Sequence, residues 1–301
     1  MTPARLVVRK FRRHRLAVVS LGLLVLMALA CLAAPLLASF LGQDVEAVDL
    51  FNRFGEPSRN NPLGTDELGR DLLLRLLYGG QVSLFVGLVG ATASAAIGMV
   101  IGVIAGYAGG KIDAFLMRLT DAVIALPLLP LLIVLAALDF TKIGLPAGLM
   151  RSSAGSLYII LGIIALVGWT TVARLVRGAT LSVREQDYVR AALALGAGPF
   201  RIIARHILPN VVSPIIVATT LSVGNVILIE SILSFLGLGI QPPLPSWGNM
   251  LTNAQELIWQ APALAIWPGL LIFITVIAFN FLGDGLQDAL DPRSDALETS
   301  G

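Results

Sequence analysis

Side chains able to do chemistry are scarce within the apolar stretches of this sequence. Glu230 and Asn225 stand inside the apolar run 211–236, Asn280 inside the run 263–282, and Asp121 near the start of the run 119–138. A carboxyl at membrane depth should face protein, water or solute rather than lipid. Glu230 could therefore line a path or serve as a structural acid bonded to a neighbouring helix, and the sequence leaves both open. An ion-driven carrier ordinarily needs more buried titratable groups than these. His14 and His206 fall in polar segments, so no nucleophile–base constellation is expected at membrane depth. The single cysteine, Cys31, excludes an intrachain disulfide and a cysteine metal cluster, and no metal-ligand spacing surrounds either histidine. Gly110-Lys111 lacks the earlier glycine and the following hydroxyl of a phosphate loop, so this chain is not expected to bind ATP in that manner.

The elements that must position these residues are membrane helices. The 301 residues are 56% hydrophobic and 13% charged, with a mean hydropathy of +0.84; a soluble domain would carry roughly a quarter charged residues. Apolar runs at 16–41, 82–108, 119–138, 157–172, 211–236 and 263–282 predict six spans. Arg5, Arg9, Lys10, Arg12, Arg13 and Arg15 precede the first run without an acid, and it is too long for a signal-peptide core, so a retained first helix is expected. Arginines and lysines concentrate in alternate segments, which predicts cytoplasmic N- and C-termini. Leu68, Leu72, Leu73, Leu76 and Leu77 predict a short amphipathic helix on the outer surface, capped by Thr65 or Asp66. Gly90, Ser94, Gly98, Gly102 and Gly106 recur every fourth residue and predict a helix-packing seam rather than a solute groove.

One polar interruption still reads as folded. Ser182 to Glu185 fits a capping box, helix formers run from Tyr188 to Leu195, Gly196-Ala197-Gly198 permits a left-handed stop, and Pro199 suits a new first turn. Leu208-Pro209 closes this second helix. A helix–turn–helix is expected in the segment 174–210, outside the bilayer.

At residues 190–209 the sequence resembles importer permeases of the ATP-binding-cassette class. Their cytoplasmic loop carries Glu-Ala-Ala, three residues, Gly, then nine residues before Ile-x-Leu-Pro. The matching residues are Ala191, Ala192, Gly196, Leu208 and Pro209. Arg190 stands in place of Glu and His206 in place of Ile. The run Arg205 to Asn210 is similar to the peptide and nickel branch. Residues 62–71, 230–239, 245–251, 280–286 and 288–293 resemble the second ("C-type") permease subunit of dipeptide, oligopeptide and nickel importers, so the resemblance spans most of the chain.

The resemblance implies an all-α integral membrane protein of type I ABC importer permease architecture, multi-pass in the cell (inner) membrane of a bacterium or archaeon. It implies half of a translocation pore and no catalysis by this chain. Implied partners are a second permease subunit completing a heterodimer, two ABC ATPase subunits using ATP and Mg, and an extracytoplasmic solute-binding protein, with no nucleic acid. Peptide is the expected solute from the breadth of the family. The alternatives are nickel or another small solute in the same class, an ion-coupled secondary carrier, and a membrane scaffold or enzyme.

The expected organisation is a basic segment and first helix at 1–41, an extracytoplasmic loop at 42–81, a five-helix core at 82–290 containing the coupling loop 174–210, and a tail at 291–301. Coupling to the ATPase is expected of Asp187, Arg190, Ala191, Ala192, Gly196, Leu208 and Pro209. Val189, Ala192, Leu193 and Gly196 are expected on one face, where small residues permit close packing. Translocation-path candidates are Glu230, Asn225 and Asn280. Asp66, Trp247 and Asn249 are candidates for docking the binding protein or forming an outer gate, with Trp247 equally readable as an interfacial anchor.

Overall fold

A computed structural model describes residues 3–138, 142, 154–252 and 254–290. Helices dominate, and the described residues hold only an isolated antiparallel bridge between Thr65 and Asp71. The order is α1 (Pro3–Arg13), α2 (Arg15–Leu32), α3 (Ala34–Leu41), α4 (Leu72–Ala108), α5 (Gly110–Ala125), α6 (Leu128–Ala136), α7 (Gly155–Arg184), α8 (Asp187–Ala194), α9 (Pro199–Ile202), α10 (Leu208–Phe235), α11 (Ala254–Leu257) and α12 (Ala263–Leu290).

Five stretches are long and apolar enough to cross a membrane: α2, α4, α7, α12 and the run Pro199–Phe235. The sixth expected span is a broken pair. Pro127 cannot donate a backbone N–H and pushes Leu126 into an extended conformation (ψ 135°), so α5 stops there and α6 leaves at 86°. Residues 139–141 and 143–153, between the third and fourth expected spans, lie outside the described residues, as does the expected tail at 291–301.

Three local expectations are corrected. The leucines from Leu72 onward do not form a separate surface helix; they open α4, which is continuous into the bilayer run, and Leu72, Leu74 and Leu76 are buried. Its cap is Asp71, whose carboxyl accepts from the Leu74 N–H at 2.7 Å, rather than Thr65 or Asp66. Ser182 caps nothing, because α7 continues through it to Arg184; α8 starts instead behind Gln186, without a side-chain cap. Leu208-Pro209 does not end a helix. Residues Ile203–Ile207 form one turn of π-helix in which the Leu208 N–H reaches back to the Ile203 carbonyl, and α10 follows directly. Pro209 has no N–H for the carbonyl four residues earlier, and the wider turn absorbs that missing bond.

The core is built on α4. It packs lengthwise on α7 and also touches α10 and α2, while α12 lies between α10 and α2. The seam with α7 is the glycine row: a Cβ at Gly98 would stand 2.6 Å from the Trp169 carbonyl oxygen, and one at Gly102 2.6 Å from that of Ala173. No side-chain movement relieves a clash with backbone. Gly102→Leu should therefore destabilise the chain by about 2–3 kcal/mol. Gly162→Leu, where nothing lies within 4 Å, should be near neutral. Thermal unfolding of the two purified variants in detergent checks this, and equal melting would remove the seam. Near the other end of α7, Arg177 forms a bidentate ion pair with Asp113 and Arg174 reaches Asp121 at 2.5 Å, fastening α5 to α7. Arg174 and Arg177 thus belong to a long helix, and the expected loop 174–210 has its non-helical start only after Arg184.

Candidate functional site

The segment 185–207 is a compact hairpin of short helices. Val189 of α8 points inward and packs with Ile202, Ile207 and Val211, all fully buried. The Gly196 N–H donates to Leu193 O (2.9 Å) and the Ala197 N–H to Ala192 O (3.0 Å), with Gly196 at φ +81°. This is a six-to-one closure with a left-handed residue at its centre, which glycine adopts without a Cβ penalty. Gly196 is thus required for the turn. The close packing expected of it concerns a separate ATPase subunit; within this chain its Cβ position meets nothing within 4 Å.

The expected single face of α8 is also divided. Val189 is buried, Ala192 is half-buried, and Leu193 is 44% exposed. Asp187, Arg190 and Ala191 are exposed, and Arg190 pairs with exposed Glu185. Leu195 (89%) and Phe200 (84%) project almost completely. Their apolar character alone did not single them out in the sequence. Leu208 is half-buried against this cluster and Pro209 is exposed at the start of α10. The Tyr188 and His206 rings stand 6.0 Å apart, so His206 braces the two halves of the hairpin.

Along the membrane helices, two adjoining cavities of about 510 and 560 Å³ share Thr171, Ser222 and Asn225. Together they make a trough between α7 and α10. The bent α5–α6 pair walls one part through Ile124, Leu126 and Leu128; Gln287 of α12 closes the other. Asn225 is exposed, and its amide makes no hydrogen bond among the described residues. Ser222 donates to the Ala218 carbonyl at 2.7 Å, leaving its lone pairs to the trough. Thr171 and Ser222 were legible only as hydroxyls within apolar runs. Asn280 lies outside the trough, exposed on α12, with its amide donating to Val276 O at 2.9 Å.

Glu230, Asn225's companion on α10, faces away from the trough and is fully buried. Its Oε1 accepts from Ser234 Oγ (2.7 Å) and Ser246 Oγ (2.8 Å), while Ser83 Oγ lies 3.4 Å from Oε2. Each of those hydroxyls accepts in turn from a backbone N–H: Ile240 onto Ser234, Asn249 onto Ser246 and Trp247 onto Ser83. Three relays from the 240–249 loop thus converge on one carboxyl. Glu230 is a structural acid within this chain, and its candidacy as a path residue is corrected on that ground.

The outer candidates are internal as well. Trp247 has no exposed surface; its ring lies against Gly80, which Cys31 Sγ also approaches, and Nε1 donates to Leu76 O at 2.9 Å. It is neither an interfacial anchor nor a docking side chain. Asn249 accepts from the Ser246 N–H and donates to Ile240 O and Leu244 O, folding its own loop. Asp66 is buried, accepts from the Leu68 and Arg70 N–H groups and from the Arg70 guanidinium, and forms an ion pair with Arg75 at 3.3 Å. Nearby, burial pushes the Asp71 carboxyl above its usual range against the pull of the Leu74 and Leu73 N–H groups. Among the described residues no group of three His, Cys, Asp or Glu is placed to hold a metal ion.

Residues 98–295 match the family described as binding-protein-dependent transport system inner membrane component. Residues 2–52 match the N-terminal TM domain of oligopeptide transport permease C. The oligopeptide transport system permease protein OppC of Bacillus subtilis is 37% identical over 94% of this chain and 88% of its own length. The dipeptide transport system permease protein DppC of Alkalihalophilus pseudofirmus is 38% identical over 97% and 91%. The glutathione transport system permease protein GsiD of Pectobacterium atrosepticum is 40% identical over 97% and 92%. With a family match over most of its length and relatives aligned nearly end to end, this chain is a membrane permease that belongs to the binding-protein-dependent transport system inner membrane components.

Proposed function

We propose that the chain forms half of the translocation pore of an ATP-driven importer for di- and oligopeptides. The observation that carries this reading is the trough of α7 and α10, whose hydroxyls and unpaired Asn225 amide lie open along one side of the chain. A path for a polar peptide backbone needs hydrogen-bonding groups on an otherwise apolar wall. A second permease subunit closes the trough from the other side. The named roles of the relatives in oligopeptide, dipeptide and glutathione transport support a peptide-class solute.

In this reading the α5–α6 pair is one bent span, which makes six crossings and puts both termini in the cytoplasm with the 185–207 hairpin. The basic residues preceding α2 support that orientation. The hairpin receives ATPase subunits that bind ATP and Mg. Asp187, Arg190 and Ala191 flank the contact, Leu195 and Phe200 fill it, and Gly196 with Ala192 sets its shape. Leu208 and Pro209 join it to α10. A solute-binding protein delivers peptide to the outer surface, whose loops are held by Asp66, Trp247 and Asn249 rather than contacted through them.

Co-purification with the second permease and the ATPase subunits, followed by ATP hydrolysis in lipid, tests the proposal. Hydrolysis should rise when receptor and peptide are added together. Assembly without any response to peptide would remove the solute class, and failure to assemble would remove the importer reading. Gly196→Ala should cost about 1 kcal/mol locally and lower coupled hydrolysis while membrane insertion is retained. Hydrolysis equal to the parent complex would show that the turn does not shape the contact.

A further inference from the structure

Helix α1 carries an interaction surface that the transport reading leaves unused. Arg5, Arg9 and Arg12 are four and three residues apart, so they share one helical face, and all are exposed. None of them pairs with an acid among the described residues. The opposite side of α1, with Val7 and Phe11, is half-buried, and the helix packs on α12 and α2. Leu6 (38%) and Val8 (54%) are exposed apolar flanks of the arginine stripe.

Only His14 separates α1 from α2, and its Nδ1 accepts from the Ala17 N–H at 3.1 Å, fixing the junction. The exposed surface then continues through Arg15 onto Leu16 and Val19, exposed apolar residues of α2, which is long and apolar enough to cross a membrane. No Asp or Glu occurs before Asp44, so nothing acidic from this part of the chain competes for the stripe.

We propose that the Arg5–Arg9–Arg12 face seats the phosphate headgroups of anionic phospholipids in the cytoplasmic leaflet. Guanidinium groups bind phosphate oxygens in a bidentate manner, and the apolar flanks enter the acyl boundary while the charges stay at headgroup level. Continuity with the exposed apolar start of α2, a helix of membrane-crossing length, favours lipid over a protein partner, because an acidic subunit surface would have to cover Leu6 and Val8 beside the bilayer. The inference rests on the cytoplasmic placement of the N-terminus.

The test uses the full importer complex in nanodiscs, with bimane attached at Val8→Cys in a Cys31→Ser background. Doxyl-labelled phosphatidylglycerol should quench the label roughly fivefold more than doxyl-labelled phosphatidylcholine at the same mole fraction. Arg5→Gln, Arg9→Gln and Arg12→Gln together should equalise the two. Equal quenching with the stripe intact, or a preference that survives the triple variant, overturns the proposal. Shielding from both lipids that is lifted only by stripping the ATPase subunits assigns the stripe to protein and overturns it as well. A membrane-impermeant thiol reagent applied to Val8→Cys in intact cells and in inverted vesicles, before purification and labelling, separates the two readings. Reaction from outside sinks the orientation, and with it this inference. Reaction from inside combined with equal quenching sinks the lipid contact alone.

Discussion

Leu195→Asp combined with Phe200→Asp should leave the permease folded in the membrane and weaken ATPase capture roughly a thousandfold, two hot-spot losses of about 2 kcal/mol each. Both side chains are almost fully exposed, so their replacement removes little that holds the chain together. Exposed apolar side chains on lipid-facing helices need no protein partner. Leu195 and Phe200 differ because they project from a hairpin that the proposed topology places in water. They stand on either side of the Gly196 turn, whose geometry fixes their separation. The measurement is retention of the ATPase subunits on the purified permease pair, together with peptide-stimulated hydrolysis. Full retention and full stimulation would show that the hairpin is not the coupling surface.

Glu230→Ala should cost about 4 kcal/mol and release the 240–249 loop. The variant strips the acceptor from Ser234 and Ser246, which are buried hydroxyls, at about 1–3 kcal/mol for each group left unsatisfied. It also removes the group facing Ser83, on which the Trp247 backbone N–H depends. Glu230→Gln keeps one carbonyl oxygen for Ser234 and Ser246 and offers an N–H to Ser83, so its expected cost is about 1 kcal/mol. Detergent-solubilised melting should therefore rank the parent and Gln variant together, well above Ala. Transport by the Gln variant should keep its range of solutes. A Gln variant that folds as well as the parent yet changes solute preference would return Glu230 to the path, and an Ala variant that melts with the parent would dissolve the relay.

The helical membrane character of the chain was legible because it depends on local quantities. Apolar run length, proline position and glycine spacing are properties of a segment and need no knowledge of its neighbours. The glycine row shows this well: its four-residue period predicted a close seam, and α7 supplies the backbone that approaches it. The turn at Gly196 was equally local, since a left-handed stop needs only a residue without a Cβ. Prediction erred where a local signal met a longer-range competitor. The Ser182 signal lost to the continuing hydrogen bonds of α7, and the Leu68–Leu77 pattern ran into a longer helix whose other face the core could bury.

The site was less legible, because exposure and pairing are decided between segments. Leu195 and Phe200 read as ordinary apolar residues, and nothing in a one-dimensional pattern separates an apolar side chain that folds inward, as Val189 does, from one that projects. Glu230 and Asn225 lie five positions apart on one helix and looked alike as polar residues in an apolar run. α10 turns one toward Ser83 and Ser246 and the other into the trough. Trp247 gave the same ambiguity, resolved by a slot that exists only once Gly80 of α4 stands beside it.

By itself, then, the sequence determined that this chain lives in a membrane, that it lacks a phosphate loop for ATP, and that its polar hairpin carries a permease motif. The first two follow from composition and spacing, and the third from the resemblance of residues 190–209 to importer permeases. Only the tertiary structure decided which polar groups hold the 240–249 loop, which open into the trough and which apolar side chains project. Burial is a sum over neighbours distant in the chain, and a hydrogen bond spanning from residue 83 to residue 230 is set by the packing of α4 on α10 rather than by either residue.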